Sequence, residues 1–153
     1  MAMHKNAIIK KGNYFMENLQ MLKMQECDNT YDVEESITRL LFRICMPVGI
    51  RGYSYLKTAI AYAMDDPERI YSITKQIYPY VAKKHGSTPS RVERAMRHAI
   101  ERAWCLGDIK NAVEKYGYSF RDYEFKPTNS EFIAETVEIL QRESRLGCPI
   151  YFK

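Results

Sequence analysis

Apolar residues recur along this chain at three- and four-residue steps, the spacing that gathers side chains on one face of an α-helix, and no stretch alternates convincingly with period two. Between Asn13 and Glu26, Phe15, Leu19 and Leu22 share a helical face, but Met16, Met21 and Met24 spread apolar character around it. A loosely attached terminal helix fits that pattern better than a docking or dimerisation helix. Glu34 to Cys45 reads as a helix with Ile37, Leu40, Leu41 and Ile44 inward, stopped by Pro47 and Gly49. A second helix runs from about Tyr53 to Met64 on Tyr55, Leu56, Ile60 and Ala63. Asp66 caps and Pro67 begins the next, carrying Ile70, Ile73 and Ile77 as far as Pro79, where a fresh turn leads into Ala82. Further on, Ile109, Ala112, Val113 and Tyr116 make a short helix and Tyr118 to Lys126 a polar, aromatic loop. Thr128 and Glu131 form a capping box for a last helix whose inner side is Phe132, Ile133, Val137 and Leu140. The expected architecture is an all-α, multi-helix domain over residues 33–146, with an extension at 1–32 and a tail at 147–153.

The segment Val81 to Trp104 reads as a helix-turn-helix. Thr88 can cap with its hydroxyl, Pro89 suits the first helical position because its missing N–H has no partner there, and Ser90 with Glu93 has capping-box spacing. From Pro89 onward Val92, Ala95, Met96, Ala99, Ile100 and Ala103 fall on one face, with Ser90, Arg94, Arg97 and Glu101 opposite, flanked by Arg91, Glu93 and His98. Gly107 should end this helix. In the preceding helix Ala82 is small enough to let two helices cross closely, and Gly86 can take the left-handed conformation that ends a helix before a tight turn.

Charge gives that segment a direction. It holds Lys83, Lys84, Arg91, Arg94, Arg97 and Arg102 against Glu93 and Glu101, a surplus of +4, and the whole chain is also +4, so the remainder is neutral. A basic footprint confined to one presentable helix is what a polyanion binder needs. The plain alternative is a solvated face whose arginines pair with Glu93 and Glu101 at helical spacing.

Other chemistry is sparse. The 153 residues give room for a single core, and 46% hydrophobic with 27% charged residues is a soluble globular composition. The basic amino terminus, Met1 to Lys11, has no apolar run longer than Ala7 to Ile9, so no signal peptide or membrane span is expected there and the protein should remain in the cytoplasm, associated with the nucleoid. Cys27, Cys45, Cys105 and Cys148 lack the paired spacing of a zinc or redox site and are expected to be reduced packing groups. His85 and His98 have no nucleophile and carboxylate at recognisable spacing, Asp65 and Asp66 suit a helix cap rather than a metal site, and no glycine-rich phosphate loop is present. The expectation is a protein that is not an enzyme and takes neither metal nor cofactor. The tyrosines, Tyr53, Tyr55, Tyr62, Tyr71, Tyr78 and Tyr80 among them, fall within helical patterns or near helix ends, which favours core and rim packing over stacking on single-stranded bases.

The run S-I-T-K-Q-I-Y-P-Y-V-A-K-K-H-G-S-T-P-S-R-V-E-R-A-M-R-H-A-I-E-R-A-W, with G-Y-S-F and P-T-N-S-E-F-I-A later, resembles the DNA-binding effector domain of the sporulation master response regulator, stage zero sporulation protein A, over roughly Glu35 to Glu143. The resemblance implies a helix that enters the major groove by its amino-terminal turns, where arginine donates two hydrogen bonds to guanine and glutamate accepts from cytosine. Arg91, Glu93 and Arg94 match the family's base-reading positions, and the implied target is an element centred on TGTCGAA. Ser90, Arg97 and His98, with Lys83 and Lys84 from the preceding helix, are then expected to hold phosphates and set register.

The resemblance also implies pairing on tandem sites through the last helix, Thr128 to Gln141, and contact with RNA polymerase through Asp108 to Tyr116. Both match less closely than the recognition helix, with Lys110, Glu114 and Lys115 on the exposed side. The family's regulator carries an amino-terminal receiver domain phosphorylated on aspartate, whereas about thirty residues precede the resemblance here, so its own phosphorylation is not expected to be the switch. Two readings follow. One is a sequence-specific double-stranded-DNA-binding transcription regulator; the other is an interaction protein that pairs with and modulates a full-length sporulation regulator or polymerase. Arg91, Glu93 and Arg94 together favour the first, and the apolar tail Cys148 to Phe152 suits the second.

Overall fold

The computed structural model describes residues 32–105 and 126–146, all within the unit Tyr31–Lys153. Among the described residues there are α-helices and one 3-10 helix but no strand: α1 (Val33–Arg43), α2 (Arg51–Asp65), the 3-10 helix Pro67–Ser72, α3 (Ile77–Lys84), α4 (Pro89–Cys105) and α5 (Asn129–Leu146). The expected helices at 13–26 and 109–116, the loop at 118–125, the tail at 147–153, and Cys27, Gly107 and Cys148 lie outside the described residues.

Local chemistry sets most helix ends. The Asp32 carboxylate accepts from the Glu34 and Glu35 amides at 2.9 and 3.4 Å and starts α1, with both glutamates favourably placed against the positive end of the helix dipole. At α5 the capping box forms as expected: the Thr128 amide donates to Glu131 Oε2 at 2.8 Å and the Glu131 amide to Thr128 Oγ1 at 3.3 Å. The hydrogen bonds from the Thr128 amide and hydroxyl hold the Glu131 carboxyl below its ordinary pKa. Two helices end in the same left-handed turn. In α3, Gly86 takes φ +60 and the Ser87 amide reaches back to the Ala82 carbonyl at 2.8 Å. In α1 the equivalent residue is Cys45, at φ 55, with the Met46 amide donating to Leu41 at 3.0 Å. The stop therefore lies two residues before Pro47, and it carries Cys45 to the surface instead of the expected packed position; Cys105, at the end of α4, is exposed too.

The expected faces are the buried ones: Ile37, Leu40, Leu41 and Ile44 in α1; Tyr55, Leu56, Ile60 and Ala63 in α2; Phe132, Ile133, Val137 and Leu140 in α5. They form a single core with the inner faces of α3 and α4. α2 sits at its centre, packed against every other described helix and most extensively against α4. It begins at Arg51 with no side-chain cap, because its first turn is fixed through space: a Cβ at Gly52 would lie 2.1 Å from the Ala95 carbonyl oxygen and 2.7 Å from Ala99 Cβ. Backbone touches backbone there.

The segment after Asp66 departs from expectation. Asp66 does cap, accepting from the Glu68 amide at 3.2 Å, but Pro67 begins a six-residue 3-10 helix and not an α-helix continuing to Pro79. An α-helix through that region would drive the Pro79 ring into the carbonyl four residues earlier. The chain instead restarts at Ile77, which puts Pro79 in the first turn of α3, where an amide would lack an intrahelical partner anyway. Loss of α-helical phase explains why Tyr71 is 84% exposed when rim packing was expected. Tyr62 and Tyr80 do pack, as parallel rings 3.7 Å apart between α2 and α3, with the Arg69 guanidinium 3.9 Å over Tyr62 and donating to its carbonyl at 2.6 Å.

Two glycine substitutions separate two kinds of constraint. Gly52→Ala should lower stability by about 1–3 kcal/mol in urea melts, since overpacking against a backbone carbonyl exceeds the gain of under ~1 kcal/mol from better helix propensity; an unchanged or raised midpoint contradicts the close crossing. At Gly86 a Cβ meets nothing within 4 Å. Gly86→Ala should therefore cost only the conformational ~1–2 kcal/mol of a left-handed residue, with Gly86→Asn recovering part of it in the same melts.

Candidate nucleic-acid interface

The helix-turn-helix forms from α3, the turn His85–Thr88 and α4. Thr88 starts α4 as expected, its hydroxyl accepting from the Arg91 amide at 3.4 Å and its carbonyl from the Val92 amide at 3.0 Å, with Pro89 first in the helix. Glu93 does not complete a box with Ser90; its carboxylate goes to Arg97, one turn on, at 2.5 Å. His85 struts the turn from behind, hydrogen-bonded through Nε2 to Thr58 Oγ1 of α2 at 2.8 Å and set edge-on to Tyr55 with ring centres 5.0 Å apart.

Burial fixes the rotation of α4. Val92, Met96, Ala99, Ile100 and Ala103 are in the core, with Ala95 half-buried at the Gly52 crossing. Ser90, Arg91, Arg94, Arg97, His98 and Arg102 consequently face outward, and Lys83 and Lys84 are exposed on the last turn of α3, just before the connecting turn. Of the residues singled out from sequence, all but one are exposed on this stretch; Glu93 is half-buried.

Ion pairing separates the two readings of the basic face. Among the described residues, Glu93 takes Arg97 and Glu101 takes Lys126, so Lys83, Lys84, Arg91, Arg94 and Arg102 pair with no described carboxylate. The Lys126 ammonium, by its hydrogen bond and then its charge, holds the Glu101 carboxyl below its ordinary pKa. Arg97 and Glu93 are 59% and 39% exposed, and a surface pair of that kind contributes only about 0.3–0.5 kcal/mol. An anion can draw Arg97 away at little cost. The positive end of the α4 dipole adds to the attraction in the same place.

The sequence did not reveal what braces α4 from the other side. Asn129, first residue of α5 and 6% exposed, donates from Nδ2 to Tyr78 Oη and to the Glu93 carbonyl, each at 3.0 Å. Burial raises the Tyr78 phenol above its ordinary pKa, and the Asn129 hydrogen bond only partly opposes it. A signal was present: Asn129 is in helical phase with Phe132, Ile133, Thr136, Val137 and Leu140, so it lies on the inner face, where an amide must find partners. Arg69 was likewise unassigned; over the Tyr62 ring that stacks on Tyr80, it helps hold α3 against α2.

No group of three or more histidine, cysteine, aspartate or glutamate side chains that could hold a metal ion occurs among the described residues, and none of their helices is long and apolar enough to cross a membrane. The surface on offer is a basic helix flank beside a helix amino terminus. The family model described as sporulation initiation factor Spo0A C terminal matches residues 37–140, a span that holds α2, α3 and α4 entire and most of α1 and α5. That is a family of DNA-binding effector domains and not one of enzymes, and this chain belongs to it.

Proposed function

We propose that this chain is a transcription regulator that reads a TGTCGAA-like element in double-stranded DNA through the first turns of α4. The observation that carries the proposal is the outward flank of α4, where Arg91, Arg94 and Arg102 stand exposed with no described carboxylate partner beside the exposed Lys83 and Lys84. In this reading Arg91 and Arg94 donate to guanine edges and Glu93 accepts from a cytosine amino group. Ser90, Arg97, His98, Lys83 and Lys84 hold phosphates and fix register. Arg97 exchanges its partner Glu93 for a phosphate on binding, which frees the Glu93 carboxylate for its base.

Pairing on tandem sites through α5 is part of the proposal. The core takes one face of that helix, and its exposed residues are Glu131, Glu138, Arg142, Ser144, Arg145 and Leu146, with Arg142 donating to Glu138 at 3.1 Å, so a partner would meet mainly charge, with a single leucine at the end. Contact with RNA polymerase through Asp108 to Tyr116 is proposed on resemblance, and a nucleoid-associated location on the DNA reading itself.

Binding to a duplex containing TGTCGAA, against a scrambled duplex and across a salt series, tests the reading. A preference that survives higher salt is expected. Glu93→Ala and Arg94→Ala should each remove about 1–3 kcal/mol of that preference. Lys84→Ala should weaken both duplexes alike and reduce the salt slope by about one. Equal binding to both duplexes, fading steeply with salt, would mean phosphate contacts alone and would move the search to a protein partner.

A further inference from the structure

We infer that Asn129 is a positioning residue for base readout: its amide ties the start of α5 to the backbone of the residue that carries the reading carboxylate. The inference rests on the DNA-reading proposal above. Nδ2 has two hydrogens and both are used, one on Tyr78 Oη in the first turn of α3 and one on the Glu93 carbonyl in α4. One side chain thus joins both helices of the helix-turn-helix to a third.

The orientation of that amide is determined. Asn129 Oδ1 is buried with no hydrogen-bond partner among the described residues, and flipping the amide would set Oδ1 against the Glu93 carbonyl oxygen. A second attachment lies two turns along α4, where Lys126, just ahead of the α5 cap, pairs with Glu101. The short segment 126–129 therefore grips α4 at two heights and opposes both sliding and rotation. Bidentate contact with a base edge tolerates only small displacements of the helix that bears it. Loss of the bridge leaves the apolar core in place, so its first consequence is a looser α4 start and not an unfolded domain.

The test compares the full chain with Asn129→Asp, Asn129→Ala and Tyr78→Phe. Aspartate keeps the shape, removes both donors and faces the Glu93 carbonyl with an oxygen, so it severs the bridge to α4, and Asn129→Ala severs it without adding a charge. In the DNA-free protein, amide hydrogen exchange from Val92 to Arg97 should quicken on the order of tenfold in Asn129→Asp and Asn129→Ala, with α2 unchanged. Tyr78→Phe keeps the ring and the bond to Glu93 and should change less. The ratio of affinities for TGTCGAA and scrambled duplexes should fall on the order of tenfold in Asn129→Asp, with scrambled binding unaltered. Uniform acceleration of exchange across the core, or affinities that fall together on both duplexes, would overturn the inference in favour of a structural role. Retained preference in both Asn129 variants would overturn it while leaving the DNA-reading proposal standing. Absence of preference in the unaltered protein would instead overturn that proposal, and the readout half of this inference with it.

Discussion

The close crossing of α2 over α4 is the contact on which the rest of the domain depends. Gly52 lets the two backbones meet at Ala95 and Ala99, and that approach sets the depth and rotation of α4. Once α4 is seated, burial of Val92, Met96, Ala99, Ile100 and Ala103 leaves its arginines no direction but outward. α2 meets α1, α3, α5 and the 3-10 helix as well, so a single close approach propagates through the whole core. The basic surface is thus a by-product of apolar packing on the opposite side.

Polar cross-links then choose among the ways such a core could settle. Arg43 of α1 meets Glu143 of α5 at 3.6 Å, both nearly buried. A buried ion pair contributes little net stability, because desolvation offsets most of the attraction, but a buried charge left alone is costly and so mispairing is penalised. Asn129 acts by the same logic on α3 and α4: an amide on an apolar face is tolerable only where acceptors wait for it. His85 with Thr58, and Arg69 with Tyr62 and Tyr80, pin the turn and α3 to α2 from the other flank. All but the Arg69–Tyr62 contact, which joins neighbouring elements, span elements far apart in sequence, and each is individually modest.

This division explains what could be read from the letters. α1, α4 and α5 were legible because their signals are local: Thr88 and Thr128 cap within three residues, and the apolar period marks all three helices. The turn at Gly86 was legible for the same reason. The start of α2 was not, since Ile50 offers no cap and the true determinant, Gly52, is defined only by residues of α4. The 3-10 helix was missed because Ile70, Ile73 and Ile77 keep α-helical spacing on paper while Pro79 forbids it in space. At the candidate site the exposed basic flank was visible in composition and phase, but the assignment of Arg91, Glu93 and Arg94 to bases came from resemblance. Pairing of Glu93 with an arginine followed from helical spacing, but the hold of Asn129 on its carbonyl could not be read from position 93.

Uneven charge has a kinetic consequence. The surplus of +4 matches that of the segment Val81 to Trp104, while the rest of the chain sums to zero. Such a molecule is less a uniformly positive body than a polarised one, and a polyanion exerts a torque on it as well as a pull. Within a screening length of about 8–10 Å at ordinary ionic strength, that torque turns the α4 flank forward before any contact forms. Encounters begin oriented by the α4 flank.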